Sequence, residues 1–269
     1  MSEHDFAALD SLQLLPRLLH GVAEPDTRVS LLGRELSAPL LPLGAPAEPL
    51  GATLGSSVTA AGAAGTLGVV DAEVLLRGGA DPSAFLALLK PEKMGLLMPK
   101  VRELAAGGVS GFVLDLTVFA DSPPFGLLEW HPRTREDLAE LRAAAGVPLW
   151  LYGVCSVSDA EVASEAGLEG VVVNTGAGVF LGAPATAEVF PDILDAVAGT
   201  IAVYAGGAVR SGVDVFRYLA LGAEAVLVDS DRSLLNLRAE LAYTMRLTGC
   251  ATLADISYEA IFAPLFSEV

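Results

Sequence analysis

From about residue 38 the chain alternates short apolar runs with longer amphipathic stretches. The runs cover residues 38–43, 65–70, 95–98, 111–118, 148–154, 170–173, 200–204 and 223–228. Such short, nearly continuous apolar runs bounded by glycine or proline read as strands buried on both faces, the pattern of a parallel sheet. Helices are expected between them at 55–64, 82–89, 100–106, 135–145, 158–166, 185–198 and 212–221, with a last one at 233–248. Thr134-Arg135-Glu136-Asp137 and Ser156-Val157-Ser158-Asp159 supply capping residues at helix starts, and Ala145-Gly146, Ala166-Gly167 and Leu221-Gly222 supply the glycines that end helices.

Eight strands alternating with eight helices predict an α/β chain folded as a single (β/α)8 TIM barrel, closure being favoured over a doubly wound sheet by the regularity of the eight units. Residues 38–250 form the expected barrel, 1–37 an N-terminal arm or a lid across its bottom, and 251–269 a tail, all one domain over 1–269.

Composition narrows the function. The 16 Lys and Arg against 33 Asp and Glu leave a net charge of −17 with no basic cluster, which excludes nucleic acid and anionic lipid as partners. No apolar stretch is long enough to span a bilayer and the N-terminus lacks a basic leader, so no membrane association and a cytoplasmic location are expected. Two cysteines, Cys155 and Cys250, and three histidines, His4, His20 and His131, are too few and too scattered for a disulfide framework or a zinc site, and no metal is expected.

The most specific segment runs from Val203-Tyr204-Ala205-Gly206-Gly207-Ala208-Val209-Arg210-Ser211-Gly212 to Ala225-Val226-Leu227-Val228. It is a strand, a glycine turn, a helix and a second strand. Two glycines let backbone N–H groups approach a ligand, and Arg210 is able to hold a phosphate.

Together with Leu31-Leu32-Gly33-Arg34-Glu35-Leu36-Ser37-Ala38-Pro39, Asp137-Leu138-Ala139-Glu140-Leu141 and Glu240-Leu241-Ala242-Tyr243-Thr244-Met245-Arg246-Leu247-Thr248-Gly249-Cys250, this turn resembles the FMN-dependent α-hydroxy-acid oxidase/dehydrogenase family, which includes lactate and glycolate oxidases. Type 2 isopentenyl diphosphate isomerases share parts of the pattern. The resemblance implies a TIM barrel, FMN as cofactor, a small 2-hydroxy acid as substrate and assembly into homo-oligomers.

It also implies residues this chain lacks. Where the family has a flavin-stabilising lysine before glycine, the fifth strand here has Tyr152-Gly153. The family's Ser-Asn-His-Gly-Gly-Arg, with its proton-abstracting histidine and carboxylate-binding arginine, is matched by Val173-Asn174-Thr175-Gly176-Ala177-Gly178. An alanine or glycine replaces the aspartate before the glycine turn, and Asp229-Ser230-Asp231-Arg232 stands where Gly-Arg grips the flavin phosphate.

The C-terminal strand ends gather Asp71, Thr117, Asp121, Tyr152, Cys155, Asn174, Thr175, Tyr204, Arg210, Asp229 and Asp231. Tyr152, Asn174 and His131 are the catalytic candidates, and Gly206, Gly207, Arg210, Tyr152, Asn174 and Ser230 the candidates for a phosphate-bearing ligand or FMN. The leading expectation is a homologue that has lost the catalytic His/Arg/Lys set. The alternatives are an FMN oxidoreductase with a rearranged site and a non-redox enzyme holding a metal at Asp71, Asp229 and Asp231.

Overall fold

The computed structural model describes residues 3–44, 65–78, 81–117, 131–229 and 232–262, the side chains of 177, 179 and 180 excepted. Helix α1 (Glu3–Ser11) is followed by an antiparallel hairpin, β1 (Val29–Leu31) and β2 (Arg34–Leu36). Its two turn residues, Leu32 (φ 50°) and Gly33 (φ 74°), both take the positive φ that a tight hairpin turn needs.

Eight parallel strands then close a barrel: β3 (Leu40–Gly44), β4 (Gly68–Asp71), β5 (Phe85–Leu89), β6 (Gly111–Asp115), β7 (Leu149–Val154), β8 (Gly170–Val173), β9 (Ala202–Gly206) and β10 (Val226–Asp229), with β10 pairing back onto β3. The described helices around it are α2 (Ala72–Leu76), α3 (Met94–Ala106), α4 (Arg135–Ala145), α5 (Val157–Glu165), α6 (Thr186–Val197), α7 (Gly212–Ala220) and α8 (Leu234–Thr248). Thr134 and Asp137 form the reciprocal cap of α4, and Ser156 accepts from the Asp159 N–H at α5, as their spacing predicts.

One stretch departs from the sequence expectation. Residues 82–89 are not a helix: Pro82–Ala84 make one 3-10 turn capped by Asp81, and Phe85–Leu89 is the third barrel strand. Residues 95–98, expected as that strand, lie inside α3. The spacing of Leu97, Val101 and Leu104, all buried, is helical, whereas Leu96 is exposed. Pro99 sits within α3. The helix expected at 55–64 lies outside the described residues.

Strand period two divides the core. Trp150 and Tyr152 of β7, Tyr204 of β9 and Leu227 of β10 point into the barrel with Leu41, Val69, Leu86 and Val113. Their neighbours Leu149, Leu151, Val203, Ala205, Val226 and Val228 point outward, against the helices. Leu31 and Leu36 of the hairpin join the inner cluster beside Leu67 and Ala225, which immediately precede β4 and β10, so the hairpin covers the N-terminal end of the barrel. The C-terminal end is the mouth.

Candidate functional site

The same alternation places Asp71, Asp115, Tyr152, Asn174, Gly206 and Asp229 around the mouth, each two residues beyond, or in register with, an inward position of its strand. Tyr152 is buried. A Cβ at Gly206 would lie 2.9 Å from Tyr152 Cε2 and 3.1 Å from Val172 Cγ1, so the ring fills the space that a side chain on β9 would need. Just after Tyr152 the pairing of β7 with β8 skips one residue, Gly153 (φ 95°), where a Cβ would meet Thr117 Cγ2 at 2.8 Å.

The Tyr152 hydroxyl accepts a hydrogen bond from Asn174 Nδ2 at 3.1 Å, and Asn174 Oδ1 accepts from the Gly176 N–H at 2.8 Å. Burial, reinforced by the Asp115 and Asp229 carboxylates, pushes the Tyr152 phenol well above its ordinary range and keeps it neutral. Tyr204, expected at the rim, lies one layer deeper and stacks on Trp150, with ring centroids 4.3 Å apart.

The rim carboxylates have local work. Asp71 caps α2 by accepting from the Glu73 N–H at 2.8 Å and pairs with Lys90 at 3.2 Å. Asp115 accepts from the Thr117 N–H and hydroxyl. Asp229 ends β10 exposed. Among the described residues no group of three or more His, Cys, Asp or Glu side chains is arranged to hold a metal ion, and Asp231, Asp121 and Ser230 lie outside them.

The glycine turn follows β9 through Gly207 (φ 85°) and Ala208 (φ 48°), the latter a conformation that L side chains rarely adopt. Arg210 then turns toward α1. Its guanidinium donates to both carboxylate oxygens of Asp10, at 2.6 and 3.0 Å, and to both of Asp214, at 3.0 Å each, which uses four of its five N–H groups. The Arg210 backbone N–H also donates to Asp214, and the guanidinium sits 4.8 Å from the centre of the Phe6 ring. Arg217 Nη1 shares both carboxylates. Arg210 holds the Asp10 carboxyl down at about 2, chiefly by hydrogen bonding. Two further contacts dock α1 onto the residues after β8 and onto α6: Thr175 Oγ1 donates to Asp5 at 3.4 Å, and His4 Nε2 meets Glu188 at 3.1 Å.

Cys155 Sγ donates to the Gly153 and Asn174 carbonyls, and burial pushes the thiol up to about 11. His131 is half-buried in the segment before α4. The structure thus brings Tyr152, Asn174 and Gly206 into contact and draws Arg210 into a separate ionic cluster at α1. Asp115 was missed in the sequence because its apolar run seemed to continue to residue 118. Asp10 gives no local signal of a partner 200 residues away.

Residues 127–263, just over half of the chain, match the model of the FMN-dependent dehydrogenase family. An L-lactate oxidase of Roseobacter sp. (strain GAI101) is 41% identical over 147 residues, covering 49% of this chain and 40% of that protein. An L-lactate oxidase of Alicycliphilus denitrificans aligns over 95% of the chain and 86% of its own length at 28% identity. The matches to this Roseobacter protein, to a peroxisomal (S)-2-hydroxyacid oxidase of Arabidopsis thaliana and to a glycolate oxidase of Oryza sativa each extend over less than half of those proteins' lengths. A solved mandelate oxidase variant with a monooxide FMN adduct superposes with a TM-score of 0.75 at 26% identity, covering 93% of this chain and 88% of that one. The barrel, the glycine turn and these likenesses agree: the chain belongs to the FMN-dependent dehydrogenase family, as a divergent homologue of its hydroxy-acid oxidases.

Proposed function

We propose that this chain keeps the family's barrel without its hydride-transfer chemistry and serves as a binding or assembly protein. The observation that carries the reading is Tyr152. At the strand end where the family resemblance calls for a cation beside the flavin, this chain has a buried neutral phenol bonded to Asn174 and packed against Gly206. The neighbouring positions support it. Thr175 replaces the proton-abstracting histidine and instead bonds Asp5, while Lys90 and Arg210 are paired with carboxylates of the chain itself.

A flavin phosphate is a dianion, and the described mouth meets it with Asp71, Asp115 and Asp229. These carboxylates do not make a cationic clamp, and the described cation that follows the last strand is Arg232, three residues beyond Asp229. A second reading, FMN bound through Gly206, Gly207 and Arg210 in a rearranged site, is favoured by family membership and by the retained turn, and requires Arg210 to leave Asp10.

FMN titration of the purified protein, followed by flavin fluorescence with riboflavin as the phosphate-free control, separates the two. The first reading expects no saturable, phosphate-dependent binding in the micromolar range. Binding that requires the phosphate and disappears in Arg210→Ala would overturn it and establish the second.

A further inference from the structure

We infer that the N-terminal end of the barrel, opposite the mouth, carries a second binding site, one that takes a small organic cation with an apolar body. A cavity of about 350 Å³ lies there between β1 and the segment that follows α8. That segment bridges to the chain ahead of β1 once, where the Asp26 N–H donates to the Ala251 carbonyl at 2.8 Å. It then turns as a 3-10 helix, Leu253–Asp255, without bridging to β1, and the gap between the two is the cavity. Val29, Leu219, Leu253 and Ile256 supply apolar walls. An apolar cleft of this volume with a few convergent polar groups is the form of a small-molecule site, at the lower end of its size range.

Charge selects the ligand. Glu224 is the one ionisable side chain among the described residues that line the cavity, and its carboxylate makes no hydrogen bond or ion pair with any of them. Although part of the side chain is open to solvent, burial raises its carboxyl, with no cation to offset it. Its charge also reaches the buried phenol of Tyr204, one layer into the barrel. Ser30 adds a second acceptor. Leu31 and Arg34 flank the two-residue turn and form its hydrogen-bonded pair, so alternation directs the Ser30 carbonyl and N–H away from β2, and β1 has no other strand beside it. An ammonium group satisfies the stranded carboxylate and has protons left for that carbonyl, whereas an anion would meet Glu224 uncompensated. The net charge of −17 further favours cations around the opening. The cavity shares no residue with the Tyr152 mouth or the Arg210 cluster, so the inference is independent of whether a flavin binds.

Isothermal titration of the full-length protein at neutral pH with 2-phenylethylamine and hexylamine is expected to show saturable binding at one site. The neutral and anionic analogues, 2-phenylethanol and 3-phenylpropionate, are expected to bind about tenfold more weakly or worse, which is what one charge-assisted hydrogen bond is worth. Glu224→Gln is expected to erase the preference for amine over alcohol, and Ala254→Trp, which fills the cavity from its rim, to abolish binding of both; the two positions are exposed, and an unchanged circular dichroism spectrum checks that each variant is folded. The wild-type preference decides the question even if a variant fails to fold. No saturable binding of either amine, equal affinity for amine and alcohol, or an amine affinity indifferent to Glu224→Gln would each overturn the proposal.

Discussion

Replacing Tyr152 with phenylalanine tests the mouth most directly. The substitution keeps the ring against Gly206 and opens no cavity larger than an oxygen atom, so its effect is confined to the hydrogen bond from Asn174 Nδ2. Asn174 is only 7% exposed, and its amide is left without that acceptor. Stranding a buried donor costs about 1–3 kcal/mol, and the neutral, 3.1 Å bond argues for about 1.5 kcal/mol. For a chain of this size that corresponds to a fall in Tm of about 3–6 °C. Urea unfolding of wild type, Tyr152→Phe, Asn174→Ala and the double variant forms a cycle in which the pair is expected to couple by about 1 kcal/mol. A shift below about 0.3 kcal/mol in Tyr152→Phe, or additive single effects, would mean that the pair does not close the mouth and would remove the main support for the proposed function.

Burial raises the phenols of Tyr152, Tyr204 and Tyr218 above the ordinary value of 10.0, so of the five tyrosines at most two are expected to show phenolate absorbance while the fold persists. Because the unfolded chain releases these protons first, stability falls as pH rises past 10, and titration of more than two phenols with an intact circular dichroism spectrum would contradict the burial. With its thiol pushed up to about 11, Cys155 is expected to react slowly with a disulfide reagent at pH 8, whereas the urea-unfolded chain shows both thiols at once; rapid modification of the native protein would place Cys155 elsewhere. Asp10, depressed from 3.8 to about 2, favours the folded chain above pH 4 and loses that contribution as pH falls through about 2. Calorimetry is expected to show a Tm gap between wild type and Asp10→Asn that is constant from neutral pH down to about 5 and closes toward pH 2, and a gap that survives at pH 2 would refute the Arg210 pairing.

The sequence alone determined the barrel, because strand and helix identity follow from where apolar side chains recur along a few consecutive residues. A buried parallel strand such as Gly170–Val173 and a capped amphipathic helix such as Arg135–Ala145 carry that information locally. The rule failed where two short apolar runs lay close together. Both Phe85–Leu89 and residues 95–98 look like strands, and only helical spacing continued through Val101 and Leu104 assigns the second run to a helix. The replaced positions Tyr152 and Thr175, and Asn174 between them in the site, could likewise be found by motif. What filled their surroundings could not. That Tyr152 reaches Gly206, that Asp10 holds Arg210 across 200 residues of chain, and that Thr175 meets Asp5 are decided when closure of the sheet brings distant strand ends together. Pairing of charges and filling of space depend on distance in three dimensions, which local periodicity does not encode.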